Sequence, residues 1–299
     1  MRAAAFERFG APSELRVLDL PEPVVGPDSL LIRVRAAGVN PVDAKIRAGG
    51  LEGAFPHAFP VISGWDAAGV VEQAGPAVVG FEPGDEVLTY ARKDTIGEGT
   101  CAELATVRHH HAAKRGSLGW AEAGGLPLAG LTAYQCLHEG LEVQAGQTIA
   151  VRGASGGVGG FAVQLAKAAG ARVVGIAGTG SEEHVRALGA DEFVSHEDGD
   201  APAADGLVDL AAPDGLAAYA ARVAAVASVL SRTPPEGFDG AFRYIFVRPD
   251  GAQLAELVAL ADAGRLRVPV VEEYSLDNVA AAHERMESGG VHGKLVVRV

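Results

Sequence analysis

The chain is short of cysteine, of positive charge and of long apolar runs, and each shortage closes off a class of proteins. Only two cysteines, Cys101 and Cys136, stand in 299 residues. Two thiols cannot build a four-thiolate zinc site, and a disulfide framework is excluded. Neither has a Cys or His at ligand spacing, so both read as small buried hydrophobes. Lys and Arg number 25 against 38 Asp and Glu, for a net charge of −13. An acidic surface repels a phosphate backbone, so no nucleic-acid partner is expected. No apolar run approaches the roughly 18 residues that cross a bilayer, so no membrane partner is expected either. The opening Met1-Arg2-Ala3-Ala4-Ala5-Phe6-Glu7 meets an acid too early for a signal peptide. These shortages, with no internal repeat and no low-complexity segment, predict a soluble cytoplasmic protein. At about 150 residues per domain the length suggests one large or two ordinary domains.

The chain has a change of texture. As far as Ser117, short strand-like runs are punctuated by Pro and Gly. Leu30–Ala36 is a strand entered from Gly26-Pro27-Asp28, Ala67–Glu72 is a second, and Pro83-Gly84-Asp85 turns into Glu86–Thr89. This pattern suggests a small barrel or irregular sheet. From there to about Leu266, strand and helix signals alternate. Leu128–Leu141, Gly159–Ala169, Glu182–Leu188 and Leu254–Ala263 read as helices, and the Ala-rich Ala217–Ala227 as helical too. Thr148–Val151, Arg172–Ala177, Glu192–Val194, Gly206–Leu210 and Ala227–Leu230 read as strands. Repeated βα units argue for a parallel, doubly wound sheet. The tail returns to a strand, a helix over Asp277–Ser288 stopped by Gly289-Gly290, and a last strand, Lys294–Val299. The fold class is therefore α/β, divided as 1–117, 118–266 and 267–299.

The segment with chemical content is Ala150-Val151-Arg152-Gly153-Ala154-Ser155-Gly156-Gly157-Val158-Gly159. It leaves a strand and opens a helix inside a βαβ unit, as a dinucleotide site requires. Gly156 lets the backbone approach a pyrophosphate, and Gly159 lets the helix pack close on the strand. The helix start then presents free N–H groups to the phosphates. Ala154 stands at the first glycine position of the pattern. The second βα turn reads Gly178-Thr179-Gly180-Ser181, with no carboxylate before Glu182. An acid there would accept from the ribose 2′-hydroxyl of NAD. Hydroxyls and N–H groups would instead admit a 2′-phosphate, so NADPH is the expected cofactor, with Gly178, Thr179 and Ser181 as contacts. His184 or His196 could add positive charge, although no Lys or Arg stands in the turn.

With those residues placed, the chain resembles the medium-chain dehydrogenase/reductase superfamily, in its zinc-independent quinone oxidoreductase branch. The likeness rests on Ala36-Ala37-Gly38-Val39-Asn40-Pro41-Val42-Asp43, Gly64-Trp65-Asp66-Ala67-Ala68-Gly69-Val70-Val71 and Gly84-Asp85-Glu86-Val87. It continues through Leu126–Tyr134, the glycine loop, Leu188-Gly189-Ala190-Asp191 and Gly293-Lys294-Leu295-Val296. It covers nearly the whole chain. It implies a GroES-like β-rich catalytic domain over 1–117, a Rossmann nucleotide-binding domain over 118–266, and a return to the first domain over 267–299. It also implies a homodimer joined through the edge of the Rossmann sheet.

The resemblance further implies roles. Zinc enzymes of the superfamily carry Cys at Asn40 and His-Glu at Trp65-Asp66, so no metal is expected here. Without that Lewis acid, the accessible reaction is hydride delivery to a quinone or an α,β-unsaturated carbonyl. Asn40, Pro41 and Asp43 fall on a loop facing the nicotinamide end, and Thr132 falls beside the nicotinamide. Ser155, Gly156, Gly157 and Val158 cradle the pyrophosphate. His196 stands where relatives often have a Tyr near the adenosine phosphate. Phe246 and Val247 match a segment meeting the carboxamide, and Lys294, in the closing Gly-Lys motif, falls near the cofactor. Asn40, Lys45 or Tyr90 could donate to the charged substrate oxygen, with water returning the proton. The wall from Gly199 to Arg243 departs from the family, and Val223–Val226 replaces a Pro-Gly-Gly turn. That departure leaves open a pathway-specific enoyl reductase, while Ala154, the absence of a basic 2′-phosphate clamp and the lack of an evident acid leave open a non-redox binding, scaffold or cyclase-like protein. His109-His110-His111 resembles a metal cluster, but consecutive residues in an extended segment face alternate ways, so a surface role is expected.

Overall fold

The computed structural model describes residues 1–199, 201–211 and 214–299; Asp200, Ala212 and Pro213 of the divergent Gly199–Arg243 wall lie outside them. The chain divides into two compact units, one of Met1–Leu128, Pro249–Ala263 and Val270–Val299, the other of Ala129–Arg248 and Gly264–Pro269. The first unit opens with strands β1 (Arg2–Phe6), β2 (Arg16–Asp19) and β3 (Ser29–Val39), followed by helix α1 (Pro41–Arg47). Strands β4 (Val61–Ile62), β5 (Asp66–Ala74), β6 (Glu86–Tyr90), β7 (Leu104–Arg108) and β8 (Ala112–Lys114) come next, then α2 (Trp120–Gly125), while α3 (Pro127–Gln135) begins in the first unit and lies mostly in the second. The second unit carries β9 (Thr148–Arg152), α4 (Gly157–Ala168), β10 (Arg172–Ala177), α5 (Glu182–Ala187), β11 (Glu192–Ser195), β12 (Ala204–Asp209), α6 (Leu216–Ala220), β13 (Val223–Ser228) and β14 (Ala241–Tyr244). The remaining elements are α7 (Gly251–Asp262), β15 (Val270–Ser275), α8 (Val279–Glu287) and β16 (Lys294–Arg298).

The first unit is built on β3. Arg33 and Arg35 point out while Ile32 and Val34 point in, and from Ala36 onward every residue is buried. A strand with that pattern is half-exposed at its start and enclosed at its end. Its first half pairs with β7 and its second half with β16, both antiparallel, while β5 runs along its other edge. Register shifts at Leu31/Ile32 and Val34/Ala36 let one strand serve these neighbours. The seven strands so joined enclose Leu30, Ile32, Val71, Val87, Ala91, Val107 and Ala112. Pairing of Leu295 with Val39 brings the end of the chain back to the first unit.

The second unit is a six-stranded sheet, parallel throughout, in the order β11-β10-β9-β12-β13-β14. Counted from β9 this is 3-2-1-4-5-6, the Rossmann order. Strand order reverses between β9 and β12, where open parallel sheets bind ligands.

Two expectations need correction, and a third is refined. Ala217–Ala227 is not one helix: α6 stops at Ala220 and Val223 already opens β13. Parallel pairing with β12, which buries Val226, Ala227 and Ser228, outweighs the helix preference of alanine. The helix expected over Leu128–Leu141 is α3 followed by a π-helical turn at Cys136–Gly140. Asn40-Pro41-Val42-Asp43 is not a loop but the start of α1. Proline is favoured at a first helical position, and the Asp43 carboxylate accepts the Asn40 N–H at 2.8 Å. In addition, α7 belongs to the first unit, where Ser117 N and Oγ donate to the Asp262 carboxylate at 2.9 and 2.6 Å.

The glycine loop is sterically determined. A Cβ on Gly159 would lie 2.0 Å from the Gly153 carbonyl oxygen and 2.7 Å from Ala154 Cα, both backbone atoms. The corresponding Cβ on Gly160 would meet only the Leu188 side chain, at 3.3 Å. Gly159→Ala is therefore expected to lower stability by more than about 2 kcal/mol, and Gly160→Ala by less than about 1 kcal/mol. Urea unfolding of both variants checks this, and equal losses would refute it.

Candidate active site

The site residues expected from the sequence fall into two groups, one in each unit. In the second unit, β9 ends at Arg152 and the chain turns through Gly153, whose φ of 86° is left-handed. Gly153 N–H and Ala154 N–H both donate to the Ile176 carbonyl of β10, at 2.9 and 3.1 Å. Gly156 N–H donates back to the Gly153 carbonyl at 3.1 Å, and Gly156 caps α4. Ser155, Gly156, Gly157 and Val158 are all part-exposed at this corner. The first-turn N–H groups of α4 have no acceptor within the helix, so they are available to an anion.

Behind the loop is a network that sequence reasoning missed. Arg152 Nη1 donates to Asp209 Oδ1 at 2.9 Å, and Arg152 Nη2 to the Asp214 carbonyl at 2.5 Å. Ser228 Oγ donates to Asp209 Oδ2 at 2.8 Å, and Leu230 N–H and Ser231 N–H donate to Ser228 Oγ. The ends of β9, β12 and β13 are thus joined across the switch point. An acid closing the apolar run Gly206-Leu207-Val208-Asp209 is the signal that could have found it.

The second βα turn holds Gly178, Thr179 and Ser181. Thr179 is exposed and Ser181 is buried. The Thr179 hydroxyl donates to Glu197 Oε2 and lies 2.9 Å from Ser195 Oγ. A Cβ on Gly178 would sit 3.5 Å from Glu197 Oε1 and 3.6 Å from His196 Nε2. An acid therefore stands at this turn after all. It arrives from the end of the neighbouring strand β11, because Ser195 pairs with Ala177. Its hydrogen bond from Thr179 holds the Glu197 carboxyl below the usual carboxylate range.

Thr132 is buried on α3. One helical turn later, Gln135 Nε2 donates to the Arg248 carbonyl at 2.9 Å and Gln135 Oε1 accepts Arg248 N–H at 3.0 Å. Those two bonds hold the Phe246-Val247 segment to the helix bearing Thr132. The Phe246 side chain is exposed, and Val247 is half-buried.

In the first unit, Asn40, Asp43, Asp66 and Lys294 form one buried cluster. Asn40 Nδ2 donates to Asp66 Oδ2 at 2.8 Å, and Lys294 Nζ donates to Asn40 Oδ1 at 2.5 Å and to the Val39 carbonyl at 3.3 Å. Leu128 N–H donates to the other Asp66 oxygen at 2.8 Å. Asp43 Oδ1 is buried without a partner. Asp66 fits because Gly38 has no side chain; a Cβ there would meet Asp66 Oδ2 at 3.0 Å. Burial pushes Asp43 up to about 7 and Asp66 up to about 6, and it pushes the Lys294 ammonium down. Tyr90 is buried, its ring 6.1 Å from that of Trp65, and burial raises its phenol. Pro41 and Lys45 are exposed on α1. The cluster brings Asn40, Asp43 and Lys294 together and leaves Lys45 outside it.

His109–His111 form a single 3₁₀ turn, and no group of three or more His, Cys, Asp or Glu among the described residues could hold a metal ion. Cys101 and Cys136 are buried free thiols.

Comparison with known proteins gives this geometry its context. Residues 26–145 match the family described as "Alcohol dehydrogenase GroES-like domain", and residues 188–297 the family described as "Zinc-binding dehydrogenase". The 2-methylene-furan-3-one reductase of Solanum lycopersicum is 32% identical over 99% of this chain and 79% of its own length. The quinone oxidoreductase of Lama guanicoe is 31% identical over 99% of this chain and 97% of its own. The chain belongs to the quinone oxidoreductase branch of the medium-chain dehydrogenase/reductase superfamily. The structure of the quinone oxidoreductase from Coxiella burnetii, 28% identical, superposes on this member with a TM-score of 0.89 over 100% of this chain and 99% of that one. Its two units are the GroES-like domain and the Rossmann-like domain of the superfamily. These relatives support an oxidoreductase that uses a nicotinamide cofactor.

The buried cluster has a measurable signature. A carboxyl raised by folding is stabilised in its neutral form. Its contribution is whole below its ordinary value near 3.8 and is lost as pH rises through about 7. Asp43→Asn keeps an acceptor for Asn40 N–H and removes the titration. Relative to the wild type, the variant is expected to gain stability from pH 4 to pH 7.5, with a slope of up to about 1.4 kcal/mol per pH unit. Urea unfolding across that range checks it, and a constant difference would refute it.

Proposed function

We propose that this enzyme reduces quinones or α,β-unsaturated carbonyls with hydride from a reduced nicotinamide nucleotide, and that it does so without zinc. The observation that carries the reading is the pairing of a phosphate cradle at Gly153–Gly159 with a metal-unfriendly cluster at Asn40. Zinc relatives need a thiolate and an imidazole where this chain has Asn40 and Trp65-Asp66. Here both ends of the Asn40 carboxamide are taken, and an ammonium lies 2.5 Å from its oxygen. That donor set does not fit zinc, which is bound by Cys, His and carboxylate ligands rather than beside a fixed cation.

When bound, the nicotinamide nucleotide supplies the hydride. The chain's own part is to hold and to neutralise. Ser155, Gly156, Gly157 and Val158 offer backbone N–H groups to the pyrophosphate. Thr132 and the Phe246-Val247 segment, held together through Gln135, receive the nicotinamide end. Lys294 and Asp66 fix the Asn40 side chain, so Asn40 acts by position, with Asp43 anchoring its backbone. Lys45, exposed on α1, is the side chain assigned to the oxygen on which charge builds. Tyr90 shapes the wall beside Trp65, and water returns the proton.

The hydroxyls of Thr179 and Ser181, read in the sequence alone, point to NADPH, but the Thr179 hydroxyl is hydrogen-bonded to Glu197, so Glu197 is the residue on which the choice of nucleotide turns. A cytoplasmic location and a homodimer belong to the same proposal. Two buried free thiols suit a reducing compartment. Strand β14 pairs only with β13 among the described residues, which leaves an edge for a second copy. No described helix is long and apolar enough to cross a membrane.

The test is steady-state oxidation of NADPH and NADH with a benzoquinone, a naphthoquinone and a simple enone, before and after treatment with a zinc chelator. Turnover on at least one acceptor, unchanged by the chelator, is expected. No turnover on any acceptor would overturn the reading. Loss on chelation with recovery on added zinc would overturn its metal-free part.

A further inference from the structure

We propose that Glu197 is the specificity-determining residue of the adenosine-ribose end, and that it makes this enzyme prefer NADH to NADPH. The inference rests on the nucleotide site described above and sharpens it. In a Rossmann unit, the end of the second strand is where an acid accepts from the ribose 2′-hydroxyl. That place is here the end of β10, at Gly178. The acid is absent from the turn itself, and a carboxylate from the next strand fills the position. Glu197 Oε1 lies 3.5 Å from where a Gly178 Cβ would be, and Glu197 Oε2 accepts from Thr179 Oγ.

Three features fix the carboxylate there. Ser195 is buried beneath it and accepts the Glu197 N–H at 3.1 Å. Ser195 also lies 2.9 Å from Thr179 Oγ, which joins the two strand ends. The hydrogen bond from Thr179 favours the ionised form, so Glu197 is charged at neutral pH.

The same contacts remove the groups that would welcome a 2′-phosphate. The Thr179 hydroxyl hydrogen is spent on Glu197. Ser181 is buried. Arg186, the first arginine after the turn, donates to Glu182 at 2.8 Å. Among the described residues, His196 Nε2 lies 3.6 Å from where a Gly178 Cβ would be, and it shares the place with the full negative charge of Glu197. A ribose 2′-hydroxyl can donate to that carboxylate. A 2′-phosphate has lost the donor and brings like charge to the same spot. Charge-assisted hydrogen bonds of this kind separate ligands by about tenfold to a hundredfold.

The experiment measures dissociation constants by calorimetry for NADH and NADPH, and for adenosine 5′-monophosphate and adenosine 2′,5′-bisphosphate, which report the ribose end apart from hydride transfer. Wild type, Glu197→Gln and Glu197→Arg are compared, with thermal unfolding as a check that this exposed site leaves the fold intact. The expected result is wild-type preference for NADH and for the monophosphate by at least about tenfold. Glu197→Gln should shrink that ratio, and Glu197→Arg should invert it. Wild-type preference for NADPH, or a ratio unmoved by both substitutions, would overturn the role of Glu197 and leave the nucleotide site standing. Failure of the wild type to bind either dinucleotide would overturn both.

Discussion

What this chain offers a nucleotide depends on one close approach between a helix and a strand end. The Gly153 carbonyl accepts Gly156 N–H, and α4 passes so near it that Gly159 has no room for a side chain. That contact starts α4 directly above the end of β9 and aims its unpaired N–H groups past the carboxyl edge of the sheet. The Ile176 carbonyl holds the loop from β10, and the Arg152–Asp209–Ser228 network braces the strand ends on the other side. The loop is fixed by backbone and buried charge, so the residues facing a ligand need not be large or basic.

The first unit solves a different problem, that of charge kept away from water. Burying a lysine and two carboxylates costs several kcal/mol per ion unless the partners satisfy one another. Here Asn40 stands between the opposite charges, accepting from Lys294 and donating to Asp66. The cluster closes only because strands distant in sequence meet: β3 carries Asn40 at its end, β5 begins with Asp66, and β16 begins with Lys294. The price of this arrangement is visible in Asp43, whose second oxygen has no partner and whose carboxyl is raised by burial. The side chain of Asn40 is thereby held from both ends, as a group that must present one geometry requires.

Much of this was legible in the residues, and the failures have a common cause. The strand-turn-helix around Gly156, the return of Lys294 to the first unit and the alternating middle section all follow from local patterns or ordered motifs. Ala217–Ala227 misled because alanine states a helical preference that says nothing about a vacant sheet edge beside β12. Asp66, Asp209 and Glu197 were passed over because each acts on a partner from another strand. Glu197 shows the limit best. Reading along the chain, the turn after β10 holds no acid before Glu182. Reading across the sheet, Glu197 is at that turn, because parallel pairing aligns Ser195 with Ala177. Hydrogen-bonding partners across a sheet follow register, and register cannot be counted off in sequence.

The same distinction between chain and space governs the electrostatics. A net charge of −13 opposes, on composition alone, a ligand carrying two or more phosphate charges. At physiological salt, however, exposed charges more than about 8 Å apart are largely screened from one another. The excess acids spread over the surface therefore weigh little against N–H groups in direct contact with a phosphate. A single carboxylate within hydrogen-bonding distance of the ribose is not screened in this way. Composition can thus tell that nucleic acid is an unsuitable partner, since a long polyanion meets the whole surface at once. It cannot tell which of two nucleotides is bound, because they differ only where one side chain reaches.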